Sequence, residues 1–421
     1  MEGTRNGVVR MFMRYWWVVV AGMLGSCVLQ SESHAQVFGV ELRANALPAA
    51  GGMAGTGIAR PQDVQSSMVL NTATLTQHKG TNFSFSGAWI EPTFNLDNEA
   101  TIGPVAPFKQ KSDRPGSLIG NIVATQDFTA LGLPVTAGLG LITASGLGVD
   151  YREATGSNGT SAEFMVLSTA SAIGVQLTDR LSFGAGLNIS TAQMDGVFAG
   201  QSASTPDYGV RGNLGLTYDV FDRTTIGAFW LTKEKHVFEN FIKVGPLPYQ
   251  DLDMELPNIF GIGIADESLC CGKLLVALDL QYMMWEDTDF WGSLWDDQLA
   301  VQTGVQYTTD RGIRLRGGYT FVENASKTSP AASIGGITPQ TSVDYIRALL
   351  PNISQNRISA GIGVPNVLPG IDLDLFAGGM FKESQSFGAT TVDLEAYWVG
   401  FGVTWRFRRG GCGHQCVPDQ W

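Results

Sequence analysis

Residues 397–407 alternate strictly: Tyr397, Val399, Phe401, Val403, Trp405 and Phe407 occupy one face of an extended strand, Trp398, Gly400, Gly402, Thr404 and Arg406 the other. Successive side chains of a strand point to opposite faces, so this period-two pattern specifies a strand with one greasy side. After residue 35 no run of about 18 apolar residues follows, and the sequence beyond that point offers no membrane-spanning helix. A chain that is 44% hydrophobic, 16% charged and carries 52 glycines is also too apolar for disorder and too glycine-rich for a helical bundle. Its length of 421 residues allows several soluble domains or one large closed sheet.

The alternation recurs. Ile371, Leu373, Leu375 and Phe381 oppose Asp372, Asp374 and Gly378; Ile313, Leu315, Tyr319 and Phe321 oppose Arg314, Arg316, Gly318 and Thr320. Val276, Leu278, Leu280 and Tyr282 oppose Ala277, Asp279 and Gln281, and Leu181, Phe183, Ala185, Leu187 and Ile189 oppose Ser182, Gly184, Gly186 and Asn188. A soluble β-sandwich alternates too. Two features favour a barrel in lipid: the second face is glycine and small polar residues rather than Lys and Glu, and aromatics such as Trp89, Trp230, Trp285 and Trp405 gather near strand ends as interfacial girdles.

The pattern predicts strands over 83–94, 117–128, 134–143, 162–178, 181–195, 209–219, 224–238, 252–265, 273–286, 297–308, 312–323, 354–364, 371–382 and 393–407. Fourteen is an even number, as single-chain bacterial barrels require. Connections near 129–133, 179–180, 220–223, 266–272, 309–311 and 365–370 are short; those over 95–116, 144–161, 196–208, 239–251, 287–296, 324–353 and 383–392 are longer. Short periplasmic turns alternating with long external loops define an up-and-down barrel. The expected fold is therefore all-β, a 14-stranded antiparallel transmembrane β-barrel over residues 83–407.

Arg5, Arg10 and Arg14 precede an apolar run from Tyr15 to Leu29 and the small-x-small sequence Ser33-His34-Ala35, which reads as an export signal over residues 1–35. A membrane anchor is the alternative, although the run is shorter than the ~20 residues a spanning helix needs. Leu24-Gly25-Ser26-Cys27 also resembles a lipoprotein signal. Net charge is −12, with no basic cluster outside the first fifteen residues and the Arg408–Arg409 pair, so no nucleic-acid partner is expected. The cysteines at 27, 270, 271, 412 and 416 lack zinc-ribbon spacing, and no metal or cofactor is expected. No P-loop, H-E-x-x-H or Ser-His-Asp order is present, which points away from an enzyme.

Residues 36–82 do not read as a strand pair. They run through Ala49-Ala50-Gly51-Gly52-Met53-Ala54-Gly55-Thr56-Gly57-Ile58-Ala59 to Asn71-Thr72-Ala73-Thr74-Leu75, and the strand Phe83-Ser84-Phe85-Ser86-Gly87-Ala88-Trp89-Ile90-Glu91-Pro92 follows. With Gly138-Leu139-Gly140-Leu141, Gly146-Leu147-Gly148, Leu181-Ser182-Phe183-Gly184-Ala185-Gly186-Leu187 and the final aromatic strand, this order resembles the FadL and TodX family of outer-membrane transporters for long-chain fatty acids and other hydrophobic compounds. The resemblance spans nearly all of the chain after residue 35. It implies an N-terminal hatch, here 36–82, inside the lumen, an external capture groove, an internal pocket, and sideways release at a kink in the third strand. It also implies residence in the outer membrane of a Gram-negative-type bacterium, in contact with outer-membrane lipid, with the chain acting as a monomer. Asn71, Thr72 and Ala73 stand where the family usually has Asn-Pro-Ala, so the fixed φ of a proline is missing. The chain also continues past Phe407 as a tail, 408–421, expected on the periplasmic side.

On that reading Val197, Phe198, Phe241, Ile242, Val244 and Leu247, greasy for loop residues, are candidates for the capture groove, with packing of the loops on each other as the alternative. Arg314 and Arg316 face the lumen and are candidates for a ligand carboxylate, the alternative being pairing with Asp279, Asp372 or Asp374. Gly138, Gly140, Gly146 and Gly148 crowd the third strand and its exit, as a kink would require. Cys270 and Cys271 in a periplasmic turn and Cys412 and Cys416 in the tail share one oxidising compartment and are candidates for disulfides; a metal site at Cys412, His414 and Cys416 is the alternative. The expected cargo is a long-chain fatty acid or another hydrophobic small molecule, such as an alkane or aromatic hydrocarbon. A general porin and a structural or adhesive surface barrel remain as other readings.

Overall fold

A computed structural model describes residues 40–198, 201–242, 248–328, 330 and 340–407, excluding the side chains of 40–42, 197–198, 201–204 and 242. The expected signal over 1–35 and the tail 408–421 lie outside the described residues. Seventeen strands follow in order: β1 (Thr81–Asn98), β2 (Phe108–Lys111), β3 (Ser117–Asp127), β4 (Val135–Asp150), β5 (Ser161–Gln176), β6 (Leu181–Phe198), β7 (Gln201–Phe221), β8 (Thr224–Leu231), β9 (Glu234–Ile242), β10 (Gln250–Leu256), β11 (Asn258–Asp266), β12 (Leu274–Met284), β13 (Gln298–Thr308), β14 (Arg314–Val322), β15 (Asn356–Leu368), β16 (Ile371–Phe387) and β17 (Thr390–Phe407).

All but β2, β9 and β10 form one antiparallel barrel of fourteen strands, each paired with its neighbour in the chain and closed where β1 meets β17 in the register Phe85↔Val403. Closure leaves no strand with a free edge along its whole length, the condition for strands to sit in lipid. Side-chain parity follows the sequence pattern: Leu278, Leu315, Leu375, Tyr397 and Val399 face outward and are exposed, whereas Asp279, Gln281, Arg316, Thr320 and Asp374 are buried inside.

Three details depart from the sequence-based expectation. Segments 196–208 and 383–392 are not loops: β6 and β7 stay paired to Phe198↔Gln201, and β16 and β17 to Phe387↔Thr390. These strands reach 17 to 21 residues where about 9–11 cross a bilayer, so they stand well above it. The strands expected over 224–238 and 252–265 each break in two. Pro257 cannot donate to a ladder, and Gly212 N of β7 donates to Thr232 Oγ1 at 2.9 Å while the Thr232 carbonyl accepts from Arg211 Nε, so the ladder ends there and β9 and β10 form a separate hairpin. Finally, the long connection 323–355 contains a helix, α2 (Gln340–Leu349); α1 (Val64–Val69) belongs to the N-terminal segment. The helical spacing of Val343, Ile346 and Leu350, all buried, accounts for α2.

Residues 40–80 fill the lumen as helical turns rather than strands, with 3-10 turns at Val40–Ala46, Ala50–Met53 and Thr72–Gln77 around α1. Buried Asp63 organises this hatch: it caps α1 through Ser66 N at 2.8 Å and also accepts from Ala49 N at 2.9 Å. Asn71 replaces the missing proline as an organiser. Its Oδ1 accepts from Ala73 N at 3.1 Å, and its Nδ2 donates to Ile58 O at 2.8 Å and to Leu216 O of the wall at 3.0 Å. Wall glycines let the hatch backbone approach this closely. A Cβ on Gly184 would stand 2.2 Å from Ala73 N, and one on Gly215 would stand 2.1 Å from Asn71 Oδ1.

Candidate functional site: a charged pocket behind a break in the wall

Between β3 and β4 the barrel ladder is incomplete. The two strands pair from Asp127↔Thr136 to Ile122↔Leu141 and no further; Ser117–Asn121 stay with β1 while β4 continues along β5 alone. The β4–β5 register shifts between Thr143 and Ser145, so Ala144 is an extra residue, a β-bulge. Beyond it the alternation stops. Every residue from Ser145 to Asp150 is buried, on both faces of the strand. Side chains partly replace the lost ladder: Thr143 N donates to Asn121 Oδ1 at 2.9 Å and Thr143 Oγ1 to Gly120 O at 3.2 Å. Farther out, Asp113 N donates to Asp150 O at 2.8 Å and Arg114 pairs with Glu163, so the break is bounded on both sides.

The glycines singled out in the third strand surround this break without forming it. Gly138 and Gly140 lie in the half paired with β3, packed against Met68 and Val123, and Gly146 and Gly148 lie beyond the bulge opposite Met165 and Glu163. The bulge falls on Thr143–Ala144–Ser145, where nothing in composition marks it.

Behind the break lies a small cavity of about 20 Å³, room for roughly one water molecule. Met68, Val69, Ile142, Ala170 and Leu231 give it apolar walls, and two arginines enter it, Arg43 from the hatch and Arg211 from β7. Arg211 is held by the backbone: Nε donates to Thr232 O and Nη2 to Pro257 O, both at 2.9 Å. Arg43 is 7% exposed, and its Nε and Nη2 have no acceptor among the described residues; its guanidinium sits over the Phe229 ring at 5.6 Å. Burial, and then the like charge of Arg211, pulls the Arg43 guanidinium down to about 9, still cationic near neutral pH. The carboxylate nearest Arg211 is Glu234, 4.0 Å from Nη1. With Thr143, Ser168 and Asn188 also lining it, the cavity is of mixed polarity and holds two guanidinium groups.

The other candidates fall elsewhere. Arg316 donates to Asp374 and, at 2.7 Å, to Gln306 Oε1; Arg314 lies 3.6 Å from Asp372, which also accepts from Arg406 at 2.6 Å. Both arginines sit at the end of the barrel that carries the short turns. Phe241 is 1% exposed and packs on Phe238 in a cluster that also joins Phe164 and Trp291, so it lines no open groove. Val197 and Phe198 are strand residues of β6, and Ile242 ends β9. Val244, Leu247, Cys412 and Cys416 lie outside the described residues. Cys270 and Cys271 are exposed in the 267–273 turn, both at left-handed φ of 52° and 58°. Sequence reasoning passed over Arg43 and Arg211, although Arg211 shares the inward parity of Asn213 and Thr217 and parity alone would have flagged it.

A closed fourteen-stranded antiparallel barrel with its N-terminal segment folded into the lumen is a barrel fold of the FadL type. Solved structures share it over most of their length. The Pseudomonas putida toluene transporter TodX matches with a TM-score of 0.64 at 16% identity over 87% of this chain and 100% of its own. A Pseudomonas aeruginosa FadL homologue matches with a TM-score of 0.65 at 10% identity over 89% and 99%. The Ralstonia pickettii toluene transporter TbuX gives 0.60 at 16% identity over 87% and 100%. At these identities the likeness is one of fold. No protein-family model matches the chain, and no curated protein matches it.

Proposed function

We propose that this chain is an outer-membrane channel for the passive uptake of hydrophobic compounds that carry a carboxylate, long-chain fatty acids foremost, with sideways release through the β3–β4 break. One observation carries the carboxylate: Arg43 and Arg211 are buried together in a small cavity beside that break, where Arg43 Nε and Nη2 have no acceptor among the described residues. A buried cation without an anion is costly, and a hydrocarbon would leave Arg43 uncompensated where an alkanoate head group would pair with it. The alkyl chain supplies affinity, at about 0.8 kcal/mol for each CH₂ moved out of water. Exit through the wall would deliver the cargo without passing the hatch. Residues 1–35 fit an export signal and 36–82 a hatch.

A second reading is uptake of monoaromatic hydrocarbons. It is favoured by the aromatic cluster of Phe164, Phe238, Phe241 and Trp291 and by the likeness to two toluene transporters. Binding of laurate and of toluene to the purified protein, before and after Arg43→Gln, separates the two. Because Arg43 makes no hydrogen bond to a described residue, its loss should leave the fold intact while laurate affinity falls at least tenfold and toluene binding stays unchanged. Laurate affinity untouched by Arg43→Gln would remove the support for a carboxylate cargo.

A further inference from the structure

The β9–β10 hairpin stands apart from the barrel sheet and folds over the lumen from outside, with Phe238, Leu252, Met254 and Leu256 buried beneath it. Its first residue, Glu234, is fully buried, yet neither carboxylate oxygen accepts a hydrogen bond from any described residue. Arg211 Nη1 lies 4.0 Å from Oε2 and His236 Nε2 lies 3.8 Å from Oε1. On the far side, His236 Nδ1 is 3.6 Å from Asp207, which accepts from Val237 N at 2.8 Å. Burial holds His236 below its ordinary range, so the ring adds no charge near neutral pH. That leaves two cations, Arg43 and Arg211, and two carboxylates, Glu234 beside Arg211 and Asp207 beyond the His236 ring.

We propose that Glu234 is a built-in competitor for the cargo's head group: it holds Arg211 while the pocket is empty and yields it when a ligand carboxylate settles between Arg43 and Arg211, loosening the foot of the hairpin. This rests on the carboxylate reading of the pocket given above. At ion-pair distance without a hydrogen bond, Glu234 grips Arg211 weakly, and a carboxylate that reaches both arginines displaces it. Glu234 also keeps affinity below what two free arginines would give, as a site that must release its cargo requires. Loading of the pocket and opening of the external hairpin thereby become one event.

The test uses the full-length protein in detergent, with laurate and methyl laurate as probes. Glu234→Gln keeps the shape and removes the competing charge; laurate should bind at least tenfold more tightly and methyl laurate within twofold of wild type. Independently of any variant, saturating laurate should raise amide exchange over 234–241 in the wild-type protein, and methyl laurate should not. Laurate affinity in Glu234→Gln that is unchanged or weaker, or exchange over 234–241 that ignores laurate, overturns the competitor role even where Arg43→Gln shows that the carboxylate is bound. If wild type binds laurate and methyl laurate alike and Arg43→Gln changes neither, the head-group pocket itself is refuted, and the competitor with it.

Discussion

Replacing Gly184 with valine tests whether the hatch is sealed by close backbone contact with the wall. The added Cβ would stand 2.2 Å from Ala73 N and 2.3 Å from the Thr72 carbonyl carbon, distances that backbone atoms cannot relieve by a rotamer change. The Thr72–Gln77 turn must therefore move off β6, straining or breaking the three hydrogen bonds that Asn71 makes to Ala73 N, Ile58 O and Leu216 O. At about 0.5–1.5 kcal/mol each, these bonds contribute roughly 1.5–4.5 kcal/mol. A loss of about 3 kcal/mol raises the undocked population about a hundredfold, since each 1.4 kcal/mol is tenfold. Planar-bilayer recording reads this directly: wild type should be nearly silent, and Gly184→Val should show frequent ion-conducting openings while the barrel still resists unfolding in detergent at room temperature. Gly120→Val is the control, because a Cβ there meets only Ser86 O at 3.8 Å. Equal conductance in the two variants would refute the docking argument.

Deleting Ala144 removes the extra residue between Thr143 and Ser145, restores a regular β4–β5 register and should close the break; uptake of labelled oleate by cells should then fall at least tenfold with the protein still folded and surface-exposed, and normal uptake would rule out sideways release. His78 follows pH. Burial, opposed by the pull of Asp63, lowers it from 6.5 to about 4, so its contribution to holding the hatch is complete above pH 6.5 and is lost as pH falls from there toward 4. Bilayer leakage of wild type should rise over that window, and His78→Gln should flatten the rise; a parallel pH profile in the variant would contradict it.

The barrel was legible because lipid and lumen impose opposite chemistry on alternate residues. Segments such as 371–382 and 393–407 carry that contrast in their own side chains, and β16 and β17 appear there. Legibility ended where the environment is the same on both faces. Outside the bilayer β6, β7, β16 and β17 run on in polar residues that read as loop, and β4 after Ala144 is buried on both sides, so it leaves no periodic trace. The break between β8 and β9 depends on what Thr232 and Pro257 bond to across the sheet, which no local pattern encodes. The pocket was hidden for a similar reason: Arg43 and Arg211 come from a helical turn and a distant strand, and only the hatch's position in the lumen sets them side by side. Inward-facing glycines serve as seats for the hatch backbone, Gly184 and Gly215 foremost.

The height of the barrel has a consequence of its own. A strand such as β7, with 21 residues at about 3.3 Å each, is about 70 Å long, and a tilt of about 40° still leaves over 50 Å of rise against a hydrocarbon layer of about 30 Å. The surplus stands clear of the hydrocarbon layer as a chimney. On the proposed function, a water-borne oily molecule would meet protein before it met the membrane surface, and the polar layer there would be bypassed rather than crossed.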